Sequence, residues 1–271
     1  MLAWDGLQFP LAEAMEVVEL HRGYVRLATE GQSLELRFGT EKRPFEPQRD
    51  GRRLQQGAGL AATGLAPCHL PQHQSLPGTL YGGGRLYAYR LVGGGVAALL
   101  YSRDKAVEEV VPQVAAMQWT AEDRRRQWRC LDLAFVSPPR MALQKARFSP
   151  GTFTVVLKKG GTMVTLVRLV PADVVLGGQG LAEIAPKLLN SIVTGGMEVI
   201  SGDGDTLDFV RRVRGPAPLK PVFSWFGTGF RGRIRHDRHT NRLLLVVERG
   251  RPLAPDDYQT ILHSYVAVNE G

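Results

Sequence analysis

The sequence predicts an α+β protein of two tandem repeats, each an antiparallel sheet packed with helices. Three observations lead there. The first is an internal rhyme. Trp4-Asp5-Gly6-Leu7-Gln8-Phe9-Pro10 leads through Gly23-Tyr24-Val25-Arg26-Leu27 into Leu34-Glu35-Leu36-Arg37-Phe38; Leu131-Asp132-Leu133-Ala134-Phe135, with Pro138, leads through Gly151-Thr152-Phe153-Thr154-Val155 into Thr165-Leu166-Val167-Arg168-Leu169. Repetition at this scale sets the architecture before any local reading does. The second is length: 271 residues hold two domains of ordinary size, placed by the rhyme at 1–127 and 128–271. The third is element order, since each half reads as strands, a helix, more strands and a closing helix.

Taken in order, residues 16–28 and 33–38 alternate apolar and polar as strands do, about a turn at Glu30-Gly31-Gln32. Residues 39–80 carry three prolines between Pro67 and Pro77 and the run Gly57-Ala58-Gly59, and read as a long loop with at most one short helix. The stretches 85–91 and 96–101 form a hairpin about Gly93-Gly94-Gly95. Val107, Val110, Val111, Val114 and Met117 then mark the buried face of a helix over 106–119, with Pro112 kinking it or delaying its start. The polar run 120–127 reads as the linker. In the second half, strands are expected at 131–135, 152–158, 162–169, 197–201 and 206–214, a helix at 181–193, a hairpin with arms 230–235 and 243–247, and a helix over 254–265 opened by Asp256 and Asp257. The expected core is Phe9, Val25, Leu36, Leu99, Val110 and Val114 in the first half, and Phe135, Val155, Leu166, Leu188, Leu245 and Ile261 in the second.

Composition narrows the function classes. Two cysteines, Cys68 and Cys130, are too few for a disulfide framework and suit a reducing compartment. The first residues lack the basic and apolar regions of a signal peptide, and no run is long and apolar enough to span a bilayer. The expectation is a cytoplasmic protein. The net charge of +8 is unevenly placed: residues 1–127 carry 15 Lys+Arg against 14 Asp+Glu, and residues 128–271 carry 19 against 12. Segment 211–242 alone holds nine basic residues and one acidic one, Asp237, which points to an anionic partner.

The early Phe-x-x-Pro segment, two-strand entry, middle helix and final hairpin plus helix together resemble the PsbP-like/DcrB-like fold, duplicated in tandem. The resemblance implies a largely non-catalytic role, since proteins of that fold include photosystem assembly subunits, a Ran-binding factor and bacterial effector chaperones. It implies no site residues, because the family has no universal site motif.

The residues that could carry chemistry are few. On a strand over 230–235, Arg231, Arg233 and Arg235 share one face, where three like charges must meet water or an anion. With Arg211, Arg212, Arg214, Arg238, Trp225 and Phe230 they form the candidate partner-binding set; the aromatic residues of 223–242 could stack on bases. His236-Asp237-Arg238-His239 invites a general-base reading, but it lies where the hairpin must turn and no Gly-x-Ser-x-Gly accompanies it. Cys68-His69 with His73 falls short of four zinc ligands, and Asp203-Gly204-Asp205 with Asp208 lacks the spacing of a calcium loop. The glycine clusters match no phosphate loop. Arg37 and Arg168 read as one repeated structural position.

The sequence therefore points to a non-enzymatic binding or adaptor protein, with no cofactor or metal, that engages an acidic protein or other anion through the basic face of the second repeat. Its rivals are a nucleic-acid binder using 223–242 and a hydrolase without a recognised motif.

Overall fold

Short hairpins generate most of this fold. The computed structural model describes residues 1–11, 14–40, 43, 45–68, 79–190, 198–211 and 229–268. The chain divides into two units, Met1–Leu131 and Asp132–Gly271, so the expected boundary after residue 127 cuts through a strand.

In the first unit, β1 (Leu2–Trp4) and β2 (Leu7–Phe9) make a tight hairpin, flanked by the later β10 (Gln118–Trp119) and β11 (Arg126–Cys130). A seven-stranded antiparallel sheet follows, from β3 (Glu16–His21), β4 (Tyr24–Thr29), β5 (Gln32–Thr40), β6 (Ala66–Pro67), β7 (Leu80–Gly83), β8 (Leu86–Leu91) and β9 (Gly95–Tyr101), in the order β3-β4-β5-β9-β8-β7-β6. Two helices complete the unit: α1 (Pro47–Gly57) between β5 and β6, and α2 (Val107–Ala115) after β9.

The second unit has β12 (Leu133–Ser137), β13 (Ala142–Ser149), β14 (Thr152–Lys159), β15 (Thr162–Leu169), β16 (Glu198–Gly202), β17 (Thr206–Arg211), β18 (Phe230–Asp237), β19 (Arg242–Gly250) and β20 (Val266–Ala267). Its seven-stranded sheet runs β13-β14-β15-β19-β18-β17-β16, and β12 pairs with β20. The helices are α3 (Ala172–Leu176), α4 (Leu181–Asn190) and α5 (Pro255–Ser264). The protein is thus α+β and mostly strand. Among the described residues, no helix is long and apolar enough to cross a membrane.

Several sequence expectations are corrected. The stretch 16–28 is two strands, because Arg22-Gly23 turns the chain: Gly23 has φ +63°, and a Cβ there would lie 2.6 Å from the Phe38 carbonyl oxygen. Gly151 does the same between β13 and β14, with φ +75° and the Val170 oxygen 2.7 Å from a Cβ. Only glycine accepts both constraints. Residues 39–80, expected to hold at most one short helix, contain among the described residues the one helix α1, eleven residues long with Pro at its start, and the short strand β6. The helix expected over 106–119 spans 107–115, with Pro112 inside it, and residues 118–119 return as β10. The linker expected over 120–127 ends in β11, whose Arg126 is buried against Asp5 at 3.2 Å. Part of the strand expected over 206–214 and of the helix over 181–193 lies outside the described residues.

Eleven of the twelve expected core side chains are buried. Leu188 is only partly so, because α4 presents Leu181, Ala185 and Leu189, an i, i+4, i+8 row, most deeply to the sheet, with Leu188 at its edge. Cys68 and Cys130 form no disulfide.

Candidate functional site

Alternation along β18 places Arg231, Arg233 and Arg235 on one face, as their spacing requires, and Phe230, Gly232 and Ile234 on the other. The arginine face already holds anionic partners of its own. Arg231 pairs with buried Glu248 of β19, directly across the ladder, and its guanidinium lies 3.9 Å from the centroid of the Tyr258 ring of α5. Arg233 grips Asp208 of β17 with two hydrogen bonds, Nε–Oδ1 at 2.7 Å and Nη2–Oδ2 at 2.9 Å. That bidentate bond holds the Arg233 guanidinium even more firmly protonated than usual. Arg235 donates to the Tyr265 backbone oxygen at 2.7 Å. Burial raises the phenol pKa values of Tyr258 and Tyr265, which keeps both rings neutral beside these arginines.

The members of the candidate partner-binding set lie in different surroundings. Arg231 and Arg233 are neutralised within the fold, and half-buried Arg235 is held by a backbone carbonyl. Phe230 is a core residue, 6.0 Å from Phe209 in an edge-to-face contact. Arg238 sits in the β18–β19 turn on Asp205 at 2.7 Å, and Arg211 is half-buried at the end of β17. Arg212, Arg214 and Trp225, with the rest of 212–228, lie outside the described residues, as do His69 and His73. His236 and Asp237 end β18, and residues 238–241 turn the chain. Among the described residues, no three His, Cys, Asp or Glu side chains cluster as a metal site would need.

The two arginines read as one repeated position are also corrected. The Gly23 oxygen accepts the Phe38 N–H at 2.9 Å, and the Gly151 oxygen accepts the Val170 N–H at 2.8 Å. Phe38 thus answers to Val170 and Arg37 to Leu169, which leaves Arg168 one residue away and on the opposite face. Arg168 is half-buried beside Asp132 at 3.3 Å, and Arg242 holds the same carboxylate at 2.6 Å.

That offset exposes the more informative site. On the sheet face of the second unit reached by α3 and α4, Leu169 stands opposite Leu243, and thirteen buried apolar residues fill the layer, among them Leu181, Ala185 and Leu189 of α4 and Phe209, Ile234 and Leu245 of the sheet. On the corresponding face of the first unit, Arg37 stands opposite Ala98, and the buried cluster is Leu65, Leu86 and Ala88. The single helix over it, α1, is held by polar contacts. Gln55, 2% exposed, donates to the Gly64 oxygen at 3.0 Å and accepts the Gly64 N–H at 2.8 Å. Gly51 seats the helix on Leu65, whose Cγ would be 2.6 Å from a Cβ.

Because α1 covers the β8 side of the sheet and leaves the β5 side, a cleft of about 760 Å³ opens between them. Phe45, Leu54, Val96 and Ala98 supply its apolar walls, and Arg37 and Arg53 its cations. Among the described residues that line it, the carboxylate is Asp50, held by Arg43 at 2.7 Å and Arg49 at 3.4 Å. Sequence reading missed this site because most of it belongs to a segment read as loop; the signal present was Arg49, Arg52 and Arg53 within one helical stretch.

No family model matches the chain, and no curated protein matches it in sequence. Among solved structures, a mutant of the protein Mog1 aligns at 8% identity with a TM-score of 0.36, covering 54% of this chain and 97% of its own.

Proposed function

We propose that this chain is a non-enzymatic binding protein, built as a tandem duplication, in which the second unit is the closed copy and the first unit carries the ligand site. The duplication is supported by the shared strand order of the two seven-stranded sheets and by the matching turn glycines, Gly23 and Gly151. The observation that carries the function is the cleft beside α1, with apolar walls and two arginines at a position where the second unit is filled by side chains. A cleft of this volume is in the range that holds small ligands. The anion-binding role thereby moves from the β18 arginines, of which Arg231 and Arg233 have carboxylates of their own and Arg235 a backbone carbonyl, to Arg37 and Arg53. No described residue favours nucleic acid over another anion.

Nile red, a neutral apolar dye, tests the cleft. Gly39 lines it, and a Cβ there would meet no atom within 4 Å, so Gly39→Trp can fill the space without backbone strain. Saturable dye binding by wild type, weakened about ten-fold (~1.4 kcal/mol) in Gly39→Trp, is expected. Gly180→Trp, at an equally open glycine of the second unit, leaves binding unchanged. Absence of saturable binding, or equal losses in both variants, refutes the assignment.

A further inference from the structure

We infer that the cleft of the first unit takes an amphiphilic carboxylate, a small acid with an apolar body; this rests on the reading of the cleft as a ligand site. Charge complementarity selects the ligand's head group. Arg37 and Arg53 both line the cleft, both are exposed, and among the described residues neither has a carboxylate within ion-pair reach. Among the described residues, Arg37 lies over the Tyr24 ring, its guanidinium carbon 5.7 Å from the centroid. Asp50 does not compete for them, because its oxygens are taken by Arg43, Arg49 and the Glu46 backbone N–H at 2.9 Å. The cleft thus offers two guanidinium groups, which bind planar carboxylates through paired hydrogen bonds.

The remainder of the wall decides what the acid must be attached to. Val96 and Ala98 of β9 face Gly39 and Arg37 across the ladder, and Leu54 and Phe45 close the helix side, so the floor beside the charges is apolar. Gly39 and Gly57 add open space rather than side chains, since a Cβ on either would touch nothing within 4 Å. An inorganic anion would leave this floor wet, and a neutral hydrocarbon would leave both arginines without a partner. An acid with a hydrocarbon chain satisfies both parts.

The experiment displaces Nile red from the full chain with dodecanoate, dodecanol or dodecylammonium, each below its micelle concentration. Dodecanoate is expected to compete at about ten-fold lower concentration than dodecanol, and dodecylammonium least well. The double variant Arg37→Gln/Arg53→Gln should retain Nile red and dodecanol binding but lose the preference for the acid. Equal competition by acid and alcohol in wild type, or a preference that survives in the double variant, overturns the inference. In both cases dye binding persists, so the cleft stands as a site while the ligand class falls. Failure of wild type to bind the dye would instead remove the underlying reading.

Discussion

The helix-side faces of the two sheets share strand order and turn glycines, yet one is sealed and the other open. The difference comes from a few alternate positions. Leu169 and Leu243 extend the apolar surface of the second unit as far as β15, so two helices find a continuous layer to bury. Arg37 and Ala98 stop that surface at β9 in the first unit, where α1 has Leu54 as its one large apolar side chain and depends on Gln55 and Gly51 for its seat. Burial of apolar area drives helix docking. A face interrupted by one arginine and one alanine therefore gives a cleft without a change of topology.

The sharpest way to break this comparison is to truncate one large side chain on each face. Phe209→Ala in the sealed layer should cost about 3–5 kcal/mol, whereas Leu54→Ala, from a half-buried site, should cost less than about 2. Hydrogen exchange resolved by peptide would read each unit separately, which matters because a two-unit chain need not unfold in one step. Similar costs would mean that the first face is packed as firmly as the second.

Next in size is the polar clamp. Gln55→Ala leaves the Gly64 N–H and carbonyl without their side-chain partner and should cost about 1–3 kcal/mol, with faster exchange of the Gly64 amide. No change would show that α1 is held by something other than Gln55.

A smaller effect separates two glycines of α1, buried Gly51 and exposed Gly57. Alanine inside a helix ordinarily gains about 1 kcal/mol over glycine, but at Gly51 the new Cβ would meet the Leu65 backbone nitrogen at 2.9 Å as well as its side chain. Gly51→Ala should therefore lower the denaturation midpoint, while Gly57→Ala, with nothing within 4 Å, should leave it unchanged or raise it slightly. A gain at both positions would place α1 farther from Leu65 than described.

Arg37→Leu should have the smallest effect on stability, within about 0.5 kcal/mol, because the side chain is exposed and has no carboxylate partner among the described residues. It should strengthen Nile red binding by bringing the cleft closer to the composition of the sealed face. Weaker dye binding would separate Arg37 from the cleft floor.

The sequence by itself determined the α+β class, the strand periods and most of the core. Those signals are local: Val25 and Leu27, or Val155 and Leu157, are apolar and buried at the two-residue spacing that one strand face imposes. It also placed Arg231, Arg233 and Arg235 on one face, since alternation follows from the backbone alone. Only the tertiary structure decided what those arginines meet. Glu248 reaches Arg231 and Asp208 reaches Arg233 from neighbouring strands, and pairing across a sheet depends on register, which the sequence does not print. The same limit put Arg37 and Arg168 in one place by sequence and on opposite faces in space, because a one-residue shift reverses the side of a strand. The cleft was hidden for a related reason: it exists where α1 does not reach. The extent of that coverage follows from the contacts of Gln55 and Gly51 with residues 64 and 65, on the segment that follows the helix, and not from any periodicity within α1 itself.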